Sequence, residues 1–337
     1  MSTFIKPMEA SLAEELPQPP GWQYEPKWDG FRCIAVRDGA EISLWSKSGK
    51  PLGRYFPEIV AMLAELTSKR FVLDGELLIA RSDEISFEAL QMRLHPAESR
   101  IRRLAAETPA VFMAFDCLQS GSKSLANKPL VERRAALVDL IDGEQDPRLK
   151  LSPASTDMKD ALAWLKRTGG ALDGVIAKKL DHGYRAGERA MIKVKLRRTA
   201  DCVVGGFRYG RNSKVAASLL LGLYDDEGLL HHVGFTSSIA AKEKQGWTRE
   251  LERLVQPPGF TGNAPGGPSR WATDRSAQWK PLKPEIVVEV LYDQVTSGRF
   301  RHGTRLLRRR PDKAPSQCRC DQLAPPLTPA QLRQLLK

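Results

Sequence analysis

The pattern of helix and strand signals changes near residue 200, and this change constrains the fold more than any other feature of the chain. Before it, strand-like runs alternate with segments whose apolar residues recur at helical spacing. After it, strand-like runs follow one another, separated by turn residues and interrupted by one helix-like segment. The sequence therefore predicts a domain of mixed α and β structure at residues 1–198 and an all-β domain at residues 199–337.

The clearest local signals in the first domain are a hairpin and three helices. Strand-like residues 32–36 and 41–45 flank Asp38-Gly39, a dipeptide typical of tight hairpin turns. Helices are predicted at residues 57–66, at residues 129–141, and from an Asp157 cap to residue 166. Further strands are predicted at residues 71–73, 77–79, 110–118 and 175–177.

The second domain shows a succession of short strands. They are predicted at residues 203–207, 217–224, 229–235 and 286–291, with a helix within residues 240–254. This pattern is typical of a small barrel of the oligonucleotide-binding kind.

Composition restricts the location and the partners. The 337 residues are 42% hydrophobic and 27% charged, and no apolar run reaches the length of a membrane span. The N-terminal residues lack the apolar core of a secretory signal, which favours the cytoplasm. Five scattered cysteines favour reduced thiols, since Cys318-Arg319-Cys320 lacks the second pair that a zinc site needs. The net charge of +12 favours a polyanionic partner, because contacts to phosphates release condensed counterions.

The segment Lys27-Trp28-Asp29-Gly30 carries the strongest chemical signal. Lysine is a poor nucleophile at its ordinary pKa of about 10.4. A site that lowers this pKa lets a lysine attack an electrophile such as a nucleotide α-phosphorus. A solvated lysine in a surface turn has the same local sequence, so the interpretation depends on the rest of the chain.

Six further polar clusters follow the lysine motif, most of them on or beside predicted strands. They are Ser46-Lys47-Ser48-Gly49, Asp74-Gly75-Glu76, Phe112-Met113-Ala114-Phe115-Asp116, Asp173-Gly174-Val175-Ile176-Ala177-Lys178, Met191-Ile192-Lys193-Val194-Lys195 and the basic stretch from Arg301 to Lys313.

With these motifs in this order, the chain resembles the ATP-dependent DNA ligases of the covalent nucleotidyltransferase superfamily. It is similar in particular to the compact bacterial enzymes called LigC and to the ligase module of LigD. The likeness runs from about Lys6 to Lys313. It implies an α+β nucleotidyltransferase (adenylation) domain of antiparallel sheets with helices, followed by an all-β OB-fold barrel.

The resemblance implies that Lys27 attacks the α-phosphorus of ATP, which forms a lysyl-AMP intermediate and releases pyrophosphate. Lys178, Lys193 and Lys195 would disfavour the ammonium form of Lys27 and stabilise charge on the phosphate. Strand alternation places residues 193 and 195 on one face.

The resemblance also implies a metal site. Glu76 and Asp173 would bind Mg²⁺ or Mn²⁺, with water and substrate phosphate completing the ligands. Many relatives have Glu at the position of Asp173, and the shorter side chain leaves direct and water-mediated coordination both open.

The nucleotide itself has several implied contacts. Phe115 would stack on adenine, Glu25 would accept a hydrogen bond from the adenine amino group, and Trp28 would pack rather than react. The remaining implied contacts in this domain are Ile176 at the nucleotide and Arg32 and Lys47 near the sugar and the nucleic-acid phosphates.

The basic C-terminal stretch would act on the leaving group. By resemblance, Asp312 and Lys313 would orient pyrophosphate with help from Arg308 and Arg310. A domain rotation about a hinge at residues 197–201 would bring them to ATP.

Nick sealing follows from the resemblance. The implied partners are ATP, nicked duplex DNA and DNA-repair proteins, for a monomer in the bacterial cytoplasm and nucleoid with no membrane association. The alternatives are an RNA ligase, a GTP-using capping enzyme, or a non-catalytic nucleic-acid-binding relic. NAD-dependent ligases share the lysine motif, but they normally carry zinc-binding cysteines and a nicotinamide domain, and the sequence shows neither.

Overall fold

The structure is a computed structural model, which describes residues 4–81, 84–167, 172–266, 278–296 and 298–323. The described residues form two compact units, and the chain passes from the first to the second between Leu196 and Arg197. In the part of the chain that the structure describes, no helix is long and apolar enough to cross a membrane.

The first unit contains both helices and strands. Its strands are β1 (Ala10–Ala13), β2 (Trp22–Trp28), β3 (Phe31–Asp38), β4 (Glu41–Ser46), β5 (Arg70–Leu78), β6 (Ala80–Arg81), β7 (Glu84–Ile85), β8 (Val111–Ser120), β9 (Lys123–Ser124), β10 (Leu149–Leu151), β11 (Leu172–Lys179) and β12 (Met191–Val194). Its helices are α1 (Pro57–Glu65), α2 (Phe87–Arg93), α3 (Glu98–Glu107), α4 (Leu130–Ile141) and α5 (Met158–Lys166), with a 3₁₀ turn at Gly53–Tyr55.

Two main sheets form the first unit. One has the strand order β1-β12-β11-β2, and the other has the order β10-β8-β5-β3-β4 with β9 paired to β8. Most neighbouring strands are antiparallel, and the parallel pairs are β1 with β12 and β10 with β8. The predicted architecture of antiparallel sheets with helices is therefore confirmed.

Helices cover the sheets through apolar side chains. Ile59 of α1 and Leu137 of α4 belong to the same buried cluster as Phe112 of the larger sheet. Ala161 of α5 packs with Tyr24 of β2 in a separate cluster. Full burial of a large apolar side chain stabilises a fold by about 1.5–3 kcal/mol, so these contacts hold the helices on the sheets.

The predicted hairpin and the three predicted helices are present. The Asp157 side chain accepts a hydrogen bond from the Lys159 N–H, as expected for the cap of α5. The strands predicted on either side of Asp74-Gly75-Glu76 are one continuous strand, β5. The strand continues because β3 and β8 pair with it on both sides, and glycine fits at position 75, where a Cβ atom would lie 2.6 Å from the Phe112 ring. Helices α2 and α3 were not predicted.

The second unit is almost entirely β structure. Its elements are β13 (Arg198–Tyr209), β14 (Ala216–Tyr224), β15 (Leu230–Thr236), α6 (Lys244–Arg253), β16 (Lys280–Pro281), β17 (Val287–Tyr292), β18 (Val295–Thr296), β19 (Arg299–Phe300) and β20 (Arg305–Arg309), with 3₁₀ turns at Ala241–Glu243, Pro315–Gln317 and Cys320–Gln322.

Strands β15-β14-β13-β17-β20 form the sheet of the second unit, and β16 pairs with β13. The buried residues Phe207, Leu220 and Val288 pack with Trp247 of α6. Strands β13, β14 and β15 form the predicted meander. Among the described residues, the edge strands β15 and β20 of this sheet are not paired with each other as strands. An isolated bridge between Thr236, in β15, and Thr304, just before β20, joins the two edges.

Candidate active site

A cavity of about 330 Å³ lies against residues from both main sheets of the first unit. Most of the predicted site residues of this unit line it. The lining includes Glu25, Lys27, Trp28, Arg32, Lys47, Glu76, Phe115, Ile176, Lys178 and Lys193, together with residues 7–10 of the N-terminal segment. The fold therefore brings clusters that are up to about 170 positions apart in sequence into one cavity.

Strand geometry explains this arrangement. Side chains alternate between the faces of a strand, so Gln23, Glu25 and Lys27 of β2 project from one face. Glu25 lies opposite Ile176 of β11, and Ile176 lies opposite Lys193 of β12. A row of three neighbouring strands thus presents a carboxylate, an apolar side chain and an ammonium group toward the cavity.

Lys27 lines the cavity and is held by Asp173, whereas Asp173 and Lys195 are not among the lining residues. The Lys27 Nζ lies 2.6 Å from Asp173 Oδ2, and the Lys195 Nζ lies 2.9 Å from Asp173 Oδ1. The Lys27 side chain keeps 25% of its surface exposed, whereas that of Asp173 keeps 8%. Gly174 allows strands β11 and β12 to pack this closely, because a Cβ atom there would lie 2.1 Å from the Val194 carbonyl oxygen. One carboxylate therefore orients two of the predicted catalytic lysines.

Lys178 and Glu25 form a buried ion pair. The Lys178 Nζ lies 2.8 Å from Glu25 Oε2, and both side chains are less than 5% exposed. The same ammonium nitrogen lies 4.7 Å from the centroid of the Phe115 ring, and the Arg32 guanidinium carbon lies 4.5 Å from it. Two predicted site residues therefore lie against the predicted adenine-stacking ring.

Lys193 lies where positive charge is concentrated. Burial lowers the pKa of Lys193 from its ordinary value, and the charges of Lys27, Lys195 and Lys47 lower it further. A group of cations that repel one another in this way favours an anionic ligand, because bound phosphate relieves the repulsion.

Arg32 is fixed by a network that extends to the N-terminal segment. Its Nε and one terminal nitrogen each donate to Asp74 at 2.6 Å, and a terminal nitrogen donates to the Met8 carbonyl at 3.3 Å. The Tyr184 hydroxyl donates to Asp74 at 2.6 Å and accepts from the Met8 N–H at 2.8 Å. The fully buried Asp74 therefore connects the site arginine to the first residues of the unit.

The surroundings of the Glu76 carboxyl favour its protonated form. Burial raises its pKa to about 7, although Arg32 and Lys27 oppose the shift. Its Oε1 accepts the Gly30 N–H at 3.2 Å. Gly30 packs closely here, since a Cβ atom would lie 2.2 Å from the Leu77 carbonyl oxygen.

Comparison with known proteins identifies the family. Residues 5–195 match the model of the ATP dependent DNA ligase domain, and residues 212–313 match that of the ATP dependent DNA ligase C terminal region. The chain belongs to the ATP-dependent DNA ligases.

Two mycobacterial proteins show how far the similarity extends. The chain is 44% identical to DNA ligase C1 of Mycolicibacterium smegmatis over 334 residues, covering 96% of this chain and 94% of that protein. It is 43% identical to DNA ligase C of Mycobacterium tuberculosis, covering 96% of this chain and 95% of that protein. The resemblance inferred from the motifs is therefore confirmed.

Solved structures agree with this assignment. A structure described as mycobacterial DNA ligase D complexed with ATP and MES is 26% identical, with a TM-score of 0.50 and coverage of 93% of this chain and 97% of that one. A structure from a study of Lig E DNA ligases, 18% identical, has a TM-score of 0.56 with coverage of 91% and 100%, and supports the fold alone. This ligase therefore has an adenylation-type α+β domain followed by an OB-type β domain.

Two predicted residues of the ligase have structural partners at the cavity. The Trp28 indole N–H donates to the Ser152 hydroxyl at 2.9 Å, and the residue is 4% exposed. The Lys47 Nζ lies 3.1 Å from Glu9 Oε2, and both side chains line the cavity.

The predicted pyrophosphate-binding residues form an ion-pair cluster within the second unit. Asp201 Oδ1 accepts from Arg310 at 3.0 Å, and Asp201 Oδ2 accepts from the Lys313 ammonium at 2.8 Å. Arg310 also pairs with Asp312 at 2.9 Å, and Arg308 pairs with Glu289 at 2.6 Å. Each of the three cations thus has a carboxylate partner.

Sequence reasoning missed several residues that shape the ligase site. They are Met8, Glu9, Gln23 and Tyr184. Gln23 could have been found, because the pattern Gln23-x-Glu25-x-Lys27 places all three side chains on one strand face. Tyr184 gave no such signal, since it lies outside any strand and reaches Asp74 across 110 positions.

Proposed function

We propose that this ligase seals breaks between a 5′-phosphate and a 3′-hydroxyl in duplex DNA, through an AMP group carried on Lys27. The observation that supports this most directly is the position of the Lys27 amine, 2.6 Å from Asp173, in a cavity lined by cationic side chains. An amine that is oriented and partly exposed beside a phosphate-binding site has the chemistry that nucleotidyl transfer requires.

In the first step the neutral Lys27 amine attacks the α-phosphorus of ATP. A nitrogen–phosphorus bond forms, the bond to the β-phosphate oxygen breaks, and pyrophosphate leaves. Asp173 is within hydrogen-bonding distance of the amine and is therefore placed to take its proton. Lys193 and Lys195 stabilise the negative charge that develops on the α-phosphate, which is the largest electrostatic demand of such a displacement.

The base and the sugar would occupy the other end of the cavity. We assign adenine to the face of Phe115, with Ile176 and Trp28 as apolar neighbours and Glu25 as acceptor for the amino group. Arg32 and Glu76 are assigned to the ribose, and Lys47 is assigned to the phosphates. All seven side chains line the cavity, which supports this assignment.

Glu76 and Asp173 are the residues that would hold Mg²⁺ or Mn²⁺. Both offer the hard oxygen atoms that these ions prefer, and Glu76 has no ion-pair partner among the described residues. Among those residues no cluster of three or more His, Cys, Asp or Glu is arranged for a metal, so water and substrate phosphate would have to supply the remaining ligands. When bound, the ion supplies further neutralisation of phosphate charge.

The second unit, proposed as the OB-fold domain of residues 199–337, would supply Arg308, Arg310, Asp312 and Lys313 to the pyrophosphate. Arg310 and Lys313 are paired with the Asp201 carboxylate in the structure, so they would exchange Asp201 for phosphate oxygens. We place the adenylation domain at residues 1–198 and the hinge at residues 197–201.

Two transfers on DNA complete the reaction. AMP passes from Lys27 to the 5′-phosphate, so the nitrogen–phosphorus bond breaks and a phosphoanhydride forms. The 3′-hydroxyl then attacks the activated 5′-phosphorus, loses its proton and displaces AMP. A role in DNA repair is part of the proposal, since a relative of 31% identity is named a multifunctional non-homologous end joining protein. We further propose a monomer that acts in the nucleoid.

Covalent labelling tests the first step. Protein incubated with ATP labelled at the α-phosphate and with Mg²⁺ should carry the label, and the Lys27→Ala variant should not. Lys179→Ala is the matched control, because Lys179 is an exposed lysine of strand β11 and does not line the cavity. Equal labelling of the wild type and of Lys27→Ala would refute the proposal. A comparison of the sealing of nicked DNA with the sealing of nicked RNA then tests whether the substrate is DNA or RNA.

A further inference from the structure

We propose that Gln23 is a positioning residue that makes the ligase select adenine over guanine, by holding the Glu25 carboxylate in one orientation inside the nucleotide cavity. This inference rests on the proposed transfer of AMP to Lys27 and on the proposed contact between Glu25 and the base.

The Glu25 carboxylate is held at both oxygens. The Gln23 side-chain amide donates to Glu25 Oε1 at 2.8 Å, and the Lys178 ammonium lies 2.8 Å from Glu25 Oε2. All three residues are more than 90% buried, since Gln23 is 6%, Glu25 2% and Lys178 3% exposed. Two partners on opposite oxygens fix the rotation of the carboxylate group, which a single partner would leave free.

The sheet pairing determines which residues act as these partners. Gln23 and Glu25 lie two positions apart on β2 and therefore share a face, and Lys178 of β11 is the direct cross-strand neighbour of Gln23. Glu25 and Lys178 line the cavity. Gln23 is absent from the lining, so its amide acts on the ligand through Glu25.

The orientation of Glu25 determines which purine it accepts. A carboxylate has about four acceptor positions, and the two observed partners, Gln23 and Lys178, leave about two for further donors. Adenine offers an amino group at its position 6, which donates. Guanine has a carbonyl oxygen there, which would face the carboxylate without a shared proton. If Glu25 could turn away, this repulsion would be relieved and guanine would be tolerated.

The test compares Gln23→Leu with the wild type in covalent labelling of the full chain by α-labelled ATP and by α-labelled GTP. Leucine keeps the approximate volume and removes the amide donor. The loss of one hydrogen bond to a buried charged group should lower the ratio of kcat/KM for ATP to that for GTP by about tenfold. Gln119→Leu is the matched control, because the Gln119 amide donates to Gly121 and is not part of the cavity lining.

A further nucleotide and a second variant distinguish a loss of nucleotide selectivity from a loss of folding. Purine riboside triphosphate lacks the amino group, so the advantage of ATP over it should shrink in Gln23→Leu. Gln23→Asn retains the amide but shortens its reach, and it should show the same change. A parallel fall for all nucleotides, or ratios equal to those of the wild type, would overturn the role of Gln23 while leaving AMP transfer intact. Absence of any label on wild-type Lys27 would instead refute the proposed function.

Discussion

Replacing Glu76 with Gln should stabilise the metal-free protein at alkaline pH while it impairs ligation. Burial raises the pKa of the Glu76 carboxyl to about 7 from its ordinary value of 4.5. The folded protein therefore binds a proton that the unfolded chain has already released between these two pH values. The ionised carboxylate reduces the free energy of unfolding, and this penalty grows as the pH rises from 4.5 and is complete above about 7.

The size of the effect follows from the shift in pKa. At about 1.4 kcal/mol per pH unit, the interval from 4.5 to about 7 corresponds to about 3 kcal/mol. The Glu76 side chain is surrounded by protein but keeps part of its surface open, so we expect about 2 kcal/mol. For a unit of this size, that corresponds to a rise in Tm of about 4–8 °C. The Gln side chain can still accept the Gly30 N–H.

Calorimetry in the presence of a chelator measures this difference. The transition of the first unit in Glu76→Gln should exceed that of the wild type by about 4–8 °C at pH 8.5, and the difference should shrink to less than about half of that at pH 5. Glu65→Gln, an exposed residue at the end of α1, is the control and should change little at either pH. A lower Tm at pH 8.5, or a difference independent of pH, would refute the reasoning.

Three further predictions concern other ion pairs and hydrogen bonds. Arg133→Ala should lower the free energy of unfolding by about 3–5 kcal/mol in urea titrations because it leaves Asp116 charged and buried, whereas Arg70→Ala, from an exposed pair, should cost less than about 1 kcal/mol. Tyr184→Phe should raise the KM for ATP in the labelling assay several-fold with little change in kcat, and an unchanged KM would contradict the proposed anchoring of the site arginine. Asp201→Asn should lower the Tm of the second unit and not that of the first, since Lys313 and Arg310 lose the Asp201 carboxylate and Arg310 keeps only Asp312, and equal transitions in both proteins would count against this cluster.

The elements that the sequence predicted are those with strong local signals. The hairpin turn has Gly39 at a φ of +65°, a conformation that glycine adopts without strain. The helices with regular apolar spacing and the Asp157 cap also follow from local preferences. Helix α3 has mostly charged and small residues, so its identity depends on packing of Ile101 and Leu104 that no short window reveals. Likewise, β5 continues through Asp74-Gly75-Glu76 because β3 and β8 pair with it on both sides.

The active site also combines features that follow from local sequence signals with features that depend on long-range contacts. The order of the motifs was sufficient to predict the family and ten of the residues that line the cavity, because each motif lies on or next to a strand whose alternation fixes the face of its side chains. The partners of these residues were not predictable in the same way. Asp74 reaches Tyr184, and Asp201 reaches Arg310, only after strands distant in sequence have paired.

The chain by itself therefore determined the reactive groups, their faces on the strands and the identity of the family, since these depend on residue type and on a spacing of two. The tertiary structure decided which polar groups became partners: Asp173 pairs with Lys27 and Lys195, and Glu25 pairs with Lys178 and accepts a hydrogen bond from Gln23. The physical reason is that electrostatic and hydrogen-bond energies depend on distances of a few ångströms and on burial, and both arise from long-range pairing of the strands.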